Sequence, residues 1–375
     1  MKVIALRLLV ALWMLMVFSS CTMKVDSQNT QKGESEEQSQ MMDALNELTI
    51  EPDMSNDTEV DEDEENLENQ EEASSQEPVD YKAQSVNEIG DIMVIMYHGI
   101  KDNPPYHRSK DDFIRDLQYF YDNNYYLISM NEYLSQQINV PLGKTPIVLT
   151  FDDGLSSTFA LIENEVDPES AIGILEAFVI EHDDFGKAAT LFIHATKQNF
   201  QGDGTALERL EWLVKNGYEI GNHSATHADL SKLSKDGLIK EIGQVDYFLK
   251  EFMPEYDMLA ITYPYGKRPE ASLIEHLAYN QYEGIEFGYE IGFREGPSSK
   301  MVPPSHIKFD PYNAPRVRGS EGEVQDLWWF LDYYEKNSDQ RYISDGNPNT
   351  IVVPKEKVDL VNINKVMDME LIVYE

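Results

Sequence analysis

The sequence predicts an α/β fold of parallel strands joined by crossover helices, and three observations carry that expectation. Short, continuously apolar runs recur from residue 92 onward. Stretches with helical spacing of apolar residues separate them, and no run beyond the N-terminus is long enough to span a bilayer. Runs of this kind suit strands buried on both faces, in either a closed barrel or an open doubly wound sheet.

The first residues stand apart from that pattern. Lys2 and Arg7 precede an apolar run from Leu8 to Phe18, too short to cross a membrane and suited to a signal peptide. The run ends in Phe18-Ser19-Ser20-Cys21, which resembles a bacterial lipoprotein cleavage site. Residues 1–21 are therefore read as a signal peptide, and Cys21 as a candidate for lipid modification. Cys21 is the only cysteine, so no intrachain disulfide can form. Residues 22–88 hold 21 acidic and 3 basic side chains and almost no aromatics. Such a segment buries too little apolar surface to offset the entropy of ordering it, and it reads as an acidic, extended tether.

The elements of the expected folded part follow in order. Asp91 to His98 begins as a buried strand, and Asp111 to Asn123 has helical spacing, with Phe113, Leu117 and Phe120 on one face. Pro146 to Phe151 is the next strand. A helix is expected from Asp167, as N-cap, with Pro168 at its first position, to about His182. Ala188 to His194 forms another strand, Leu207 to Asn216 a helix, and Tyr218 to Gly221 a short strand. Ser231 to Phe252 is mostly helical. Ile261 to Pro264 is a strand, and helix returns near Ser272 to Asn280 and again at Gln325 to Tyr334. Residues 89–345 are thus the expected catalytic domain, and 346–375 a strand-like extension.

Charge narrows the function. The net charge of −38 opposes nucleic-acid binding, because phosphate contacts depend on Lys and Arg displacing counterions. Three segments at expected strand ends carry the chemistry. In Thr150-Phe-Asp-Asp-Gly154, two adjacent carboxylates are costly unless a cation or proton separates their roles. In Gly221-Asn-His-Ser-Ala-Thr-His227, histidines four apart on a helical turn share a face and can share a metal. Two imidazoles and one carboxylate leave a fourth position open, as in catalytic zinc centres. Tyr263-Pro-Tyr-Gly266 is a turn able to expose a backbone N–H.

Thr150 to Gly154, His223 to His227 and Pro264 to Gly266 resemble the first three motifs of the polysaccharide deacetylase family, carbohydrate esterase family 4, whose catalytic unit is the NodB homology domain. The surroundings Ala189-Thr-Leu-Phe-Ile and Gly217-Tyr-Glu-Ile-Gly-Asn fit as well. The resemblance implies a distorted (β/α) barrel. It implies a divalent metal, usually Zn²⁺, held by Asp153, His223 and His227, with Asp152 as general base toward the attacking water. Pro264, Tyr265 and Gly266 would line the substrate, with the Tyr265 N–H as oxyanion donor. The family's motif arginine is replaced by Thr262, and its late acid motif is not evident. Met96-Tyr97-His98 resembles a branch in which this early histidine supplies the acid, so His98 is the candidate, with His306 as competitor. Arg316 is the candidate partner of Asp152. His107, His182, His194 and His276 are expected to be structural or surface residues.

The resulting expectation is hydrolysis of N-acetyl groups in an N-acetylglucosamine-containing cell-wall or matrix polysaccharide. The protein would be exported, and it would meet the membrane only through a lipid anchor. Acetylxylan O-deacetylation, an inactive glycan-binding lipoprotein and an interaction scaffold are the alternatives.

Overall fold

The computed structural model describes residues 79–101, 106–296, 298 and 300–375. The expected signal segment and residues 22–78 of the expected tether lie outside the described residues.

The strands and helices, in chain order, are β1 (Val94–Tyr97), α1 (Lys110–Asp122), β2 (Tyr125–Leu127), α2 (Met130–Ser135) and β3 (Thr145–Phe151). Then come α3 (Ala171–Glu181), β4 (Thr190–Ile193), α4 (Ala206–Lys215), β5 (Glu219–Asn222), α5 (Lys235–Lys250) and β6 (Ala260–Thr262). β7 (Ile291–Arg294), β8 (Ala314–Pro315), β9 (Val317–Arg318), α6 (Leu327–Lys336), β10 (Thr350–Pro354) and β11 (Glu370–Tyr374) follow, with a one-turn helix at Glu275–Ala278 between β6 and β7. Small antiparallel hairpins at 161–166 and 280–287 stand outside the main sheet.

The main sheet is parallel throughout, in the order β8-β7-β6-β5-β4-β3-β1-β9, with β2 beside β3. Its two ends are the same stretch of chain. Ala314 and Pro315 pair with β7, Val317 and Arg318 pair with β1, and only Arg316 lies between them. The sheet therefore forms a nearly closed barrel, with Arg316 at the seam.

Strand periodicity sorts the side chains into two layers. Ile95, Leu149, Leu191, Ile261 and Val317 pack in one cluster with Phe113, Leu117 and Phe120 of α1. Val94, Val148, Phe192, Ala260, Phe293 and Ala314 form a second cluster on the opposite, inner face. A buried carboxylate ties the outer layer together. Asp116 accepts from Tyr97 Oη at 2.9 Å, from the Arg108 guanidinium at 2.8 and 2.9 Å, and from Trp328 Nε1 at 2.8 Å. The aromatic helix α6 is thereby locked against β1 and α1.

Two expectations need correction. The helix expected from Asp167 begins later, at Ala171. Ser170 caps it by accepting from the Gly173 N–H at 3.1 Å, whereas Asp167 closes a preceding turn through the Glu169 N–H. A serine three residues farther along could offer the same cap chemistry, and Pro168 belongs to the turn. The ordered fold also starts before residue 89, because Val86, Asn87 and Glu88 are all buried. Glu88 carries this N-terminal edge. Its carboxylate accepts from the Val352 N–H at 2.7 Å, the Asp345 N–H at 3.1 Å and Tyr342 Oη at 3.2 Å. It thus ties the start of the fold to β10, which pairs in parallel with β11.

Burial, aided by the neighbouring Asp345 carboxylate, pushes Glu88 up to about 8. Between the ordinary glutamate range and that value, the folded chain keeps a proton that the unfolded chain has released. Stability must therefore fall as pH rises through this window, by up to ~1.4 kcal/mol per pH unit for one proton. Denaturant unfolding between pH 5 and 8 should show this slope, and Glu88→Gln should flatten it. An unchanged slope in the variant would refute the assignment.

Candidate metal centre

The inward phase of each strand continues past its C-terminal end, the edge where functional loops gather in such barrels. From Val94 it leads to His98, from Val148 through Thr150 to Asp152, and from Phe192 to His194. From Gly221, where a Cβ would lie 2.3 Å from the Phe192 ring, it leads to His223. From Ala260 it leads to Thr262, and from Ala314 to Arg316. Residues far apart in the chain meet at one mouth because each lies an even number of positions beyond an inward-facing residue.

Asp153 is out of phase and would point away. A left-handed backbone at φ 73°, followed by Gly154 at φ 57°, turns it back. Ser224, His227 and Tyr265 also have positive φ, at 63°, 58° and 58°. Such conformations are costly outside glycine and cluster where function holds them. The 223–227 segment is consequently a bend and not the helical turn expected from the sequence. Asn222 sets the bend, its Oδ1 accepting from the Ser224 N–H at 2.7 Å.

Around Asp153 Oδ1 stand three imidazole nitrogens: His223 Nε2 at 3.3 Å, His194 Nε2 at 3.5 Å and His227 Nε2 at 3.7 Å. The group whose ligand atoms all lie within 4.8 Å of one another is Asp153, His194 and His223. These separations are long for N–H···O bonds, which cluster near 2.9–3.0 Å. They suit co-ligands of one cation, which at ~2.1 Å from the ion stand roughly 3.4 Å apart in tetrahedral geometry. His223 gives a second indication. Its Nδ1 lies 2.5 Å from Thr262 Oγ1 and 3.3 Å from the Thr262 carbonyl, while its buried Nε2 has no hydrogen-bond partner among the described residues. The donor set fits a divalent transition-metal ion.

Asp152 is only 2% exposed and faces Arg316, which is equally buried. Arg316 donates in fork geometry, Nη1 to Oδ1 at 2.8 Å and Nη2 to Oδ2 at 2.6 Å, and its Nη1 also reaches Thr150 Oγ1 at 3.1 Å. Burial alone would raise the Asp152 carboxyl, but Arg316, with His223, outweighs it and holds the group at about 2. At Asp153 burial is likewise outweighed, by His194 and His223, and the carboxyl sits well below its usual range.

The remaining candidates divide. His98 follows β1 beside Asp152, whose N–H bonds the Tyr97 carbonyl at 3.0 Å. Pro264–Gly266 is a tight turn with left-handed backbone at Tyr265, and it presents the exposed Tyr265 ring 4.6 Å from the His227 ring. The Tyr265 N–H makes no hydrogen bond among the described residues. His306 is not part of this group. Its Nδ1 accepts from the Lys308 N–H at 2.9 Å, and its backbone bridges Val361 of the C-terminal extension. His182 stacks on Tyr121 at 4.1 Å and His276 lies beside Glu275, in keeping with structural roles. His194, expected among those structural residues, lies in the site instead. The signal that could have found it is phase: it stands two residues beyond inward-facing Phe192.

Residues 139–284 match the family described as polysaccharide deacetylase. No curated protein is matched. Among solved structures, a polysaccharide deacetylase from Bacillus cereus is 20% identical over 65% of this chain and 69% of its own, with a TM-score of 0.48. IcaB from Ammonifex degensii is 18% identical over 68% of this chain and 99% of its own, TM-score 0.49. The Streptococcus pyogenes deacetylase PplD is 21% identical over 65% and 98%, TM-score 0.46. Over less than half of its length, then, the chain resembles the polysaccharide deacetylase family.

Proposed function

We propose that the protein removes N-acetyl groups from N-acetylglucosamine units of a cell-wall or matrix polysaccharide, with a divalent cation, Zn²⁺ by preference, held at Asp153, His223 and His227. The observation that carries this reading is the juxtaposition of Asp153, facing imidazole nitrogens at 3.3 and 3.7 Å, with a second carboxylate that a guanidinium occupies instead. The two adjacent aspartates thereby take different roles.

When bound, the cation would polarise the acetyl carbonyl and acidify a water molecule. The rest falls to the protein. Asp152 accepts the proton of the attacking water, and the water oxygen adds to the acetyl carbon. Arg316 holds Asp152 in one orientation and keeps it ionised through the neutral range. The Tyr265 N–H donates to the oxygen on which charge develops. His98 gives a proton to the departing nitrogen, and acetate and a free amine result. Thr262 stands where the family's arginine would be and instead orients His223; Arg316 reaches Asp152 from the seam of the barrel.

The N-terminal segment places the enzyme in this proposal. A basic start, an apolar run and Cys21 support export and attachment to the outer face of a bacterial cytoplasmic membrane through a lipid. Among the described residues no helix is long and apolar enough to cross a membrane. The negative charge suits a neutral glycan, or one made cationic by deacetylation.

Acetate release should be measured on N-acetylglucosamine oligomers, peptidoglycan and acetylxylan. Release from the first two, and not from acetylxylan, is expected; release from acetylxylan alone would make the enzyme an O-deacetylase. Asp152→Asn should retain metal and lose roughly 10²–10⁴-fold in rate. Asp153→Ala should lose both metal and activity. Full turnover by Asp152→Asn would remove it as the base.

A further inference from the structure

We propose that His194 is a direct ligand of the same cation, so that the centre is built from three imidazoles and one carboxylate. This rests on the metal-dependent reading above and adds a fourth protein ligand to it.

Three features support the assignment. The first is distance: His194 Nε2 lies 3.5 Å from Asp153 Oδ1, between the values for His223 and His227, and belongs to the tightest group of donor atoms. The second is the tautomer. His194 Nδ1 lies 2.8 Å from the Ser224 carbonyl, which can only accept, so Nδ1 carries the hydrogen. Neutral His194 therefore turns a bare Nε2 lone pair toward Asp153. Bare lone pairs of His194 and His223 turned toward one carboxylate oxygen repel it unless positive charge lies between them. A backbone carbonyl bonded to the far ring nitrogen is the usual support of a metal-bound histidine. His223 has the same arrangement through Thr262.

The third feature is the way His194 is held. Asn199 Nδ2 donates to the His194 carbonyl at 2.7 Å, and Asn199 Oδ1 lies 3.3 Å from the His194 N–H. The same Oδ1 occupies the place of a Gly154 side chain, 2.4 Å from where a Cβ would stand. The Phe200 N–H then bonds the Gly154 carbonyl at 2.7 Å. Residues 194–200 are thus bound to the turn that carries Asp153, and His194 and Asp153 cannot drift apart independently. A surface histidine has no need of such a mount.

The test uses the full chain, stripped of metal and reloaded with one equivalent of Zn²⁺ or Co²⁺. X-ray absorption should count three imidazoles per ion in the wild type and two in His194→Ala and His194→Gln. Competition with a chelator should show affinity lowered at least tenfold in both variants. Circular dichroism should be unchanged in His194→Gln, which keeps the bulk and the hydrogen-bonding capacity. Two imidazoles in the wild type, with unchanged affinity in the variants, would overturn the ligand role while leaving metal-dependent hydrolysis intact. Tight metal binding that survived in His223→Ala and Asp153→Ala would overturn both.

Discussion

One carboxylate oxygen organises the site. Asp153 Oδ1 faces the Nε2 atoms of His223, His194 and His227 at 3.3, 3.5 and 3.7 Å, spacings too long for good hydrogen bonds and short enough for strong mutual influence. A cation at their centre would satisfy all four groups at once. Much of the surrounding structure serves this point. Asn222 shapes the bend that brings His227 around, Thr262 turns the His223 ring, Ser224 turns the His194 ring, Asn199 holds the His194 backbone, and the Phe200 N–H holds the Asp153 turn. Four left-handed, non-glycine residues lie at this mouth, and the backbone cost of each is carried by the rigid strands beneath.

The second constraint joins fold to chemistry. Arg316 is the residue at which the chain passes from pairing with β7 to pairing with β1, so it closes the barrel. It is also the fork that grips Asp152. A charged side chain at this depth is tolerated because its partner carboxylate meets it in two hydrogen bonds, with Phe192 and Phe293 rings 5.7 and 6.0 Å from the guanidinium. Thr262 is free to orient a histidine because the arginine arrives from elsewhere. The position of a motif residue in sequence and the place from which its group reaches the site have come apart here.

What the sequence reveals follows from how local the signal is. Buried parallel strands announce themselves as apolar runs, and Asp152, Asp153, His223 and His227 are legible because each sits in a short, dense motif. His194 carries no such motif. Its membership depends on strand phase and on the Asp153 turn at the end of the preceding strand, neither of which spacing to another histidine reports. His306 misled for the opposite reason: a histidine in a Pro-rich stretch looked available, yet its ring is committed to the Lys308 amide. At the start of α3, Asp167-Pro168 and Ser170 both carry start signals, and only tertiary packing chooses between them. The start of the fold was set too late because Glu88 resembles the acidic residues before it. Its hydrogen bonds to Val352 and Asp345 lie more than 250 residues away.

A single specific cation site at these side chains predicts a distinctive binding isotherm. The most direct measurement is calorimetric titration of the metal-stripped full chain with Zn²⁺ at neutral pH in physiological salt. One equivalent should bind tightly and saturably, distinct from any weak, salt-screened uptake by the many exposed carboxylates of this acidic chain. A titration showing only weak, multiple, salt-sensitive binding would contradict the account.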